Sequence, residues 1–282
     1  MSHGYGCNII KAKSRSSRSS IIIMAAGLIT ATLLGGIARA EENGTPSFKW
    51  GFRERIRQAY IVNGFDLDGE RADDRNYFRF RSQLWASWIP SDGVKLYLGL
   101  NNEHRHWLKS ERGYEDEDFE IDELIVENLY VTLDRIGGSG FSVIAGRQNI
   151  RYGEGFLMLD GGPLDGSRTA YHNAVRVKRQ CEKRSIEVHV LRNPSWDHYM
   201  PVINTQYKRL IEWDETGAGV YYIDDSMAGK RLEAYYFYKN EKHEDDLLPE
   251  SDIHTVGARV TGSFREGMPW AAEFAFQAGD RG

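Results

Sequence analysis

Arginine occupies every second position across Arg53, Arg55 and Arg57, and the spacing returns at Arg79 and Arg81. In an extended chain, side chains two apart point the same way, so each run sets its guanidinium groups in a column. A guanidinium stays charged at any relevant pH and can hold a carboxylate through two parallel hydrogen bonds, which suits binding or passage of a polyanion. If the two runs pair antiparallel, Arg79 and Arg81 join the first three on one wall, and Lys95 and Arg105 extend it. A plainer reading has these cations tying the wall together against acids such as Glu54, Glu103, Glu233 and Glu273. The two readings are compatible.

Other chemistry is weaker. His104 and His106 share a side on a strand and could seat a metal, but no third ligand accompanies them. Asp160, Ser167 and His172 could be drawn as a hydrolytic triad, yet no G-x-S-x-G elbow surrounds Ser167, and Asp-Gly-Ser reads as a turn. The glycines Gly153, Gly155, Gly161 and Gly162 lack the strand, helix and Lys of a phosphate loop. The carboxylate runs at Glu115–Asp118 and Glu244–Asp246 read as solvated loop tips. No cofactor is implied.

The elements that must position these residues are strands. From Phe48 onward apolar and polar residues alternate with period 2: Phe48, Trp50, Phe52, Ile56 and Tyr60 stand opposite Lys49, Arg53, Arg55 and Arg57. The pattern repeats at Phe78–Trp88, Val94–Arg105, Glu123–Leu133, Phe141–Gln148, Ala174–Gln180, Ser185–Leu191, Gly217–Ile223, Arg231–Lys239, Ile253–Phe264 and Trp270–Ala278. That predicts about eleven strands, several long enough to cross a bilayer at a tilt, where a soluble sandwich would use strands of five or six residues. Short turns alternate with long acidic connections, and aromatic residues stand near strand ends, as a transmembrane barrel requires. An Arg facing lipid at mid-bilayer would cost about 2 to 4 kcal/mol, so the arginine columns must face a water-filled interior.

The first 40 residues read as an export signal: a basic stretch, an apolar core over Ile21–Ile37 and the small-residue ending Ala38-Arg39-Ala40. The alternative is an uncleaved inner-membrane anchor. Cleavage would take five cations and no acid from a chain of formal charge -5, leaving residues 41–282 at -10 and arguing against a nucleic-acid-binding surface. Cys181 would then be the one remaining cysteine, unable to form an intrachain disulfide. With 27% charged residues the chain cannot be a bundle of apolar membrane helices. The last candidate strand runs into Gln277–Gly282 with no closing partner, and a barrel in lipid tolerates no open edge. The sequence is therefore expected to stop within a larger barrel.

Gly146-Arg147-Gln148, Tyr152-Gly153-Glu154-Gly155 and Leu164-Asp165-Gly166-Ser167-Arg168, in that order, resemble the core motif of the alginate export family of outer-membrane proteins. The resemblance implies an all-β, antiparallel, up-and-down transmembrane barrel, monomeric and of about eighteen strands, of which residues 41–282 would supply somewhat over half. It also implies location in the outer membrane of a Gram-negative bacterium, contact with lipid and lipopolysaccharide, periplasmic export partners and no catalysis. Arg147, Gln148, Asp165 and Arg168 enter the expected solute path on this resemblance. The expected function is passive conduction of an anionic polysaccharide such as alginate. A general or nutrient-specific anion porin, an outer-membrane hydrolase and a plugged structural barrel are the alternatives.

Overall fold

The computed structural model describes residues 46–61, 75–110, 119–158, 171–203, 213–242 and 250–281. The first 40 residues, Asp165, Arg168, Asp160 and Ser167 lie outside this set. The described residues form β1 (Ser47–Ile61), β2 (Arg75–Ser91), β3 (Val94–Ser110), β4 (Phe119–Leu133), β5 (Phe141–Gln148), β6 (His172–Cys181), β7 (Arg184–Asn193), β8 (Val202–Ile203), β9 (Asp214–Asp224), β10 (Lys230–Lys242), β11 (Ser251–Ser263) and β12 (Pro269–Arg281). One 3-10 turn, Ile136–Gly138, joins β4 to β5.

Eleven strands pair antiparallel in sequence order from β1 to β12, and the two-residue β8 adds to β4 beyond the end of β5. This is an up-and-down meander, open between β1 and β12 among the described residues, with the architecture of a partial barrel. Each expected strand is present. The longest, β2 and β3, reach 17 residues, more than the 9 to 11 or so that a tilted strand needs to cross a bilayer. Connections at one end are short (92–93, 134–140, 182–183, 225–229, 264–268), and those at the other are long (62–74, 111–118, 149–171, 194–213, 243–250).

The sheet is organised inside out. Residues paired across a ladder share a face, and one unbroken row runs Val94, Leu133, Val143, Val177, Val188, Val220, Tyr236, Val256, Phe276 through nine strands. Its members are left open to the surroundings: Val256 is 54% exposed and Phe276 58%. The side chains withdrawn from solvent are instead mostly polar, among them Arg81, Glu103, Glu127, Arg147, Gln148, Glu187, His189, Glu233 and Arg259. A water-soluble sandwich buries the opposite set. An apolar band of this extent marks a surface that meets lipid or another apolar partner. No described helix is long and apolar enough to cross a membrane, which says nothing about strands.

Candidate functional site

The β1–β2–β3 register brings the two arginine runs onto one wall. Arg55 stands opposite Arg81, Arg57 opposite Arg79, and Arg53 opposite Gln83. Arg79 in turn faces Arg105 on β3, and Arg81 faces Glu103. Like charges directly opposite repel, and carboxylates that include Glu103 and Glu127 relieve this wall. Glu103, almost fully buried, accepts from Arg79 Nε at 2.7 Å and from Arg105 Nη2 at 3.2 Å. Glu127 accepts from Gln83 Nε2 at 3.0 Å and lies 3.5 Å from Arg81 Nη2. It can do so because the β3–β4 register shifts between Gly99 and Leu100, leaving Glu127 as an extra residue in β4. Arg53, Arg55, Arg57, Arg75, Arg79, Arg81 and Arg105 share this wall with Glu103 and Glu127, and Glu120 of β4 stands opposite Arg105 in the register. Lys95 sits further toward the short turns, its Nζ 5.7 Å from the centre of the Tyr97 ring.

Glu54 does not belong to that wall. It pairs with Ser82 in the row of Phe52, Ile56 and Leu84, on the apolar side, and accepts from Ser82 Oγ at 2.5 Å. His104 and His106 share that side, opposite Phe80 and Phe78. Among the described residues no three His, Cys, Asp or Glu side chains gather as a metal site. Cys181 ends β6 and is exposed.

On the polar face of β6 to β12 charges are nearly balanced and joined to aromatic rings. Arg176 holds Glu187 through two bonds, Nε to Oε1 at 2.7 Å and Nη2 to Oε2 at 2.9 Å. Arg259 pairs with Glu233 (3.0 Å) and approaches Glu273 (3.7 Å). Tyr221 donates to Glu233 at 2.5 Å, and Tyr235 donates to Glu273 at 2.8 Å.

Residues 149–158 cross this face instead of turning outward. Tyr152 stacks on Tyr221 of β9, with ring centres 4.3 Å apart and planes 11° from parallel, and also meets Phe237 of β10 at 5.5 Å. Its hydroxyl donates to Glu187 and lies 3.0 Å from His189 Nδ1. Burial, then the Glu187 charge and hydrogen bond, push the phenol well above its ordinary pKa, so it remains a neutral donor. Glu154 reaches Arg259 Nη2 on β11 at 2.7 Å. Gly153, at φ 55°, makes the turn between these two anchors. The segment divides the space on this face. A cleft of about 960 Å3 toward the short turns is lined by Arg151, Glu154, Tyr221, Arg231, Arg259 and Trp270. A smaller cavity of about 220 Å3 toward the long connections is lined by Met158, His172, His189, Phe237 and Thr255.

The residues that entered through the Gly-Arg-Gln motif anchor this arrangement. Gly146 has φ 125°, and a Cβ there would collide with the Leu129 carbonyl oxygen, so the strand can pass β4 at this point only as glycine. Arg147 stands opposite Leu129 and Asn173 and is fully buried. It donates to Asp197 through Nη1 (2.7 Å) and Nη2 (2.8 Å), to the Val126 carbonyl (2.9 Å) and to Asn173 (2.9 Å), with the Tyr171 ring 4.0 Å from its Cζ. Burial would raise the Asp197 carboxyl, but the Arg147 bonds and the backbone N–H groups of Met200 and Tyr199 outweigh it and hold the group below the ordinary range. Gln148 donates to the Ala174 carbonyl at 3.1 Å and lies 3.4 Å from Arg176 Nη1. Arg147 and Gln148 thus fasten the loops where β5 ends, while Arg53, Arg55, Arg57, Arg79, Arg81, Lys95 and Arg105 line the cationic wall. Tyr152, Glu154, Arg176, Glu187, Asp197 and Arg259 were not singled out as a site by sequence reasoning. The one available signal was the Tyr-Gly-Glu-Gly turn, whose partners come from five different strands. Compared with protein-family models and with curated proteins, the chain finds no match.

Proposed function

We propose that this chain forms part of an outer-membrane channel that conducts anionic solutes passively, with an acidic polysaccharide of the alginate type as the preferred class. The observation that carries the reading is the facing of Arg55 with Arg81 and of Arg57 with Arg79 and Arg105 on the side opposite the exposed apolar rows. A polyuronate bears one carboxylate per sugar, so its passage needs a low barrier to negative charge and many weak sites in place of one tight one. A column of guanidinium groups interspersed with carboxylates such as Glu103 and Glu127 meets that need. On this reading the apolar rows face lipid, lipopolysaccharide surrounds the long connections, and further strands complete the monomeric barrel. Periplasmic export partners would deliver the polymer.

A planar-bilayer recording of the complete gene product tests it. Anion-selective conductance, blocked at low concentration by an oligouronate, is the expected result. Anion selectivity without block would reassign the protein to a general anion porin. Residues 149–158 favour one further alternative, a plugged barrel, which predicts no conductance.

A further inference from the structure

Phe156 is 66% exposed, although the chain on either side of it is seated on the polar face. Before it, Tyr152 stacks on Tyr221 and Glu154 bonds Arg259; after it, Leu157 and Met158 line the small cavity with His189 and Phe237. A ring left exposed between two such contacts stands away from the sheet, toward the interior. The loop that carries it is closed and anchored. The Met158 carbonyl accepts from the Tyr152 N–H at 3.3 Å, the Tyr152 carbonyl from the Gly155 N–H at 2.9 Å, and the Glu154 carbonyl from Arg151 Nη2 at 2.9 Å. Gly153 and Gly155, at φ 55° and 84°, bracket Glu154 in the left-handed region that glycine enters without strain. Ile150, fully buried, pins the entry to the loop. A side chain held on so many anchors is a fixed obstacle in place of a swinging tail.

We infer that Phe156 sets the width of the path through the barrel. This rests on the proposed channel and adds a division of labour within it. Barrels of about sixteen strands or more leave an aqueous channel, and a loop folded onto the inner wall takes up part of that section. The loop is seated on β7, β9, β10 and β11, none of which bears the arginine columns of β1 and β2. The arginines therefore select by charge and Phe156 by girth. An extended, unbranched solute passes beside the ring, and a branched or globular one is stopped. An apolar side chain suits that task, because it narrows the path and offers a passing solute neither a charge nor a hydrogen bond to hold it there.

The test reads width and charge separately in planar bilayers. The complete gene product is compared with its Phe156→Ser and Phe156→Trp variants for single-channel conductance, for the largest polyethylene glycol that enters the pore, and for the reversal potential in a KCl gradient. Serine is expected to raise the conductance and admit a larger polymer, and tryptophan to lower both, while the reversal potential stays where it was. The ring is mostly exposed, so both variants keep the sheet, which the strand signal in circular dichroism checks. If the unaltered protein conducts and all three share one conductance and one polymer limit, only this inference falls. It falls also if the two substitutions shift conductance in the same direction, or if the reversal potential moves with them. Conductance by the serine variant alone would support it, with the ring closing the path outright. If none of the three conducts, the proposed function falls with it.

Discussion

Arg55 and Arg81 stand directly opposite each other in the β1–β2 ladder, one step from the equally opposed Arg57 and Arg79. An arrangement that sets like charges face to face is unfavourable for a wall whose only task is to stay together. Glu103 and Glu127 temper the repulsion. The column of arginines on the polar side is the feature from which the functional reading proceeds.

Glu103→Gln should therefore act on stability and selectivity in opposite directions. Replacing the buried carboxylate that serves both Arg79 and Arg105 by a neutral amide is expected to cost about 2 to 3 kcal/mol, read as a lowered urea midpoint for the protein in lipid vesicles. Anion preference should rise as the wall gains a unit of net positive charge. A weakened preference would mean that Glu103 lies outside the solute path.

Gly146→Ala places a side chain against the Leu129 carbonyl at a residue with φ 125°. Refolding yield into detergent should fall sharply, whereas alanine at Gly229, strained by a φ of 70° but with nothing within 4 Å of its Cβ, should be milder. Equal yields for the two variants would contradict the close passage of β5 against β4.

Docking of residues 194–201 should depend on pH through Asp197. Its carboxyl lies below the ordinary value of about 3.9 in the folded chain, so the stabilisation it contributes is complete above that value and is lost as pH falls through the lowered one. Hydrogen exchange of residues 195–200 should stay slow from pH 7 down to about pH 4 and quicken below, and Asp197→Asn should quicken it throughout. A transition centred near neutrality would point to a histidine instead.

Tyr152→Phe keeps the stack on Tyr221 and deletes the hydroxyl shared with Glu187 and His189. About 1 to 2 kcal/mol of loop docking should be lost, visible as faster protease cleavage between residues 149 and 158. Leaving Glu187 and Arg176 to pair alone should not unfold the sheet, so the strand signal in circular dichroism should be unchanged.

Strand identity was legible from Phe48 to Ala278 because one side of every strand is apolar and period-2 alternation survives without any tertiary knowledge. The Arg53, Arg55 and Arg57 column and its meeting with Arg79 and Arg81 were legible for the same reason, needing only antiparallel pairing. Glu54 was misplaced among the wall acids because its character suggested water while its parity, which the register settles, puts it with Phe52 and Ile56. Arg147 looked like one more wall cation. Its partner Asp197 lies 50 residues away on a loop, a contact that no local pattern announces. The Tyr152 and Glu154 anchors depend likewise on a segment leaving β5 early and crossing to β11, which is decided by packing among five strands.

The reversal potential across a bilayer bathed in a KCl gradient tests the central claim most directly, comparing the unaltered protein with the variant in which Arg53, Arg55 and Arg57 are all replaced by glutamate. If that side of β1 borders the solute path, the unaltered protein is anion selective and the variant's potential changes sign toward cation preference. An identical reversal potential in the two proteins would contradict it.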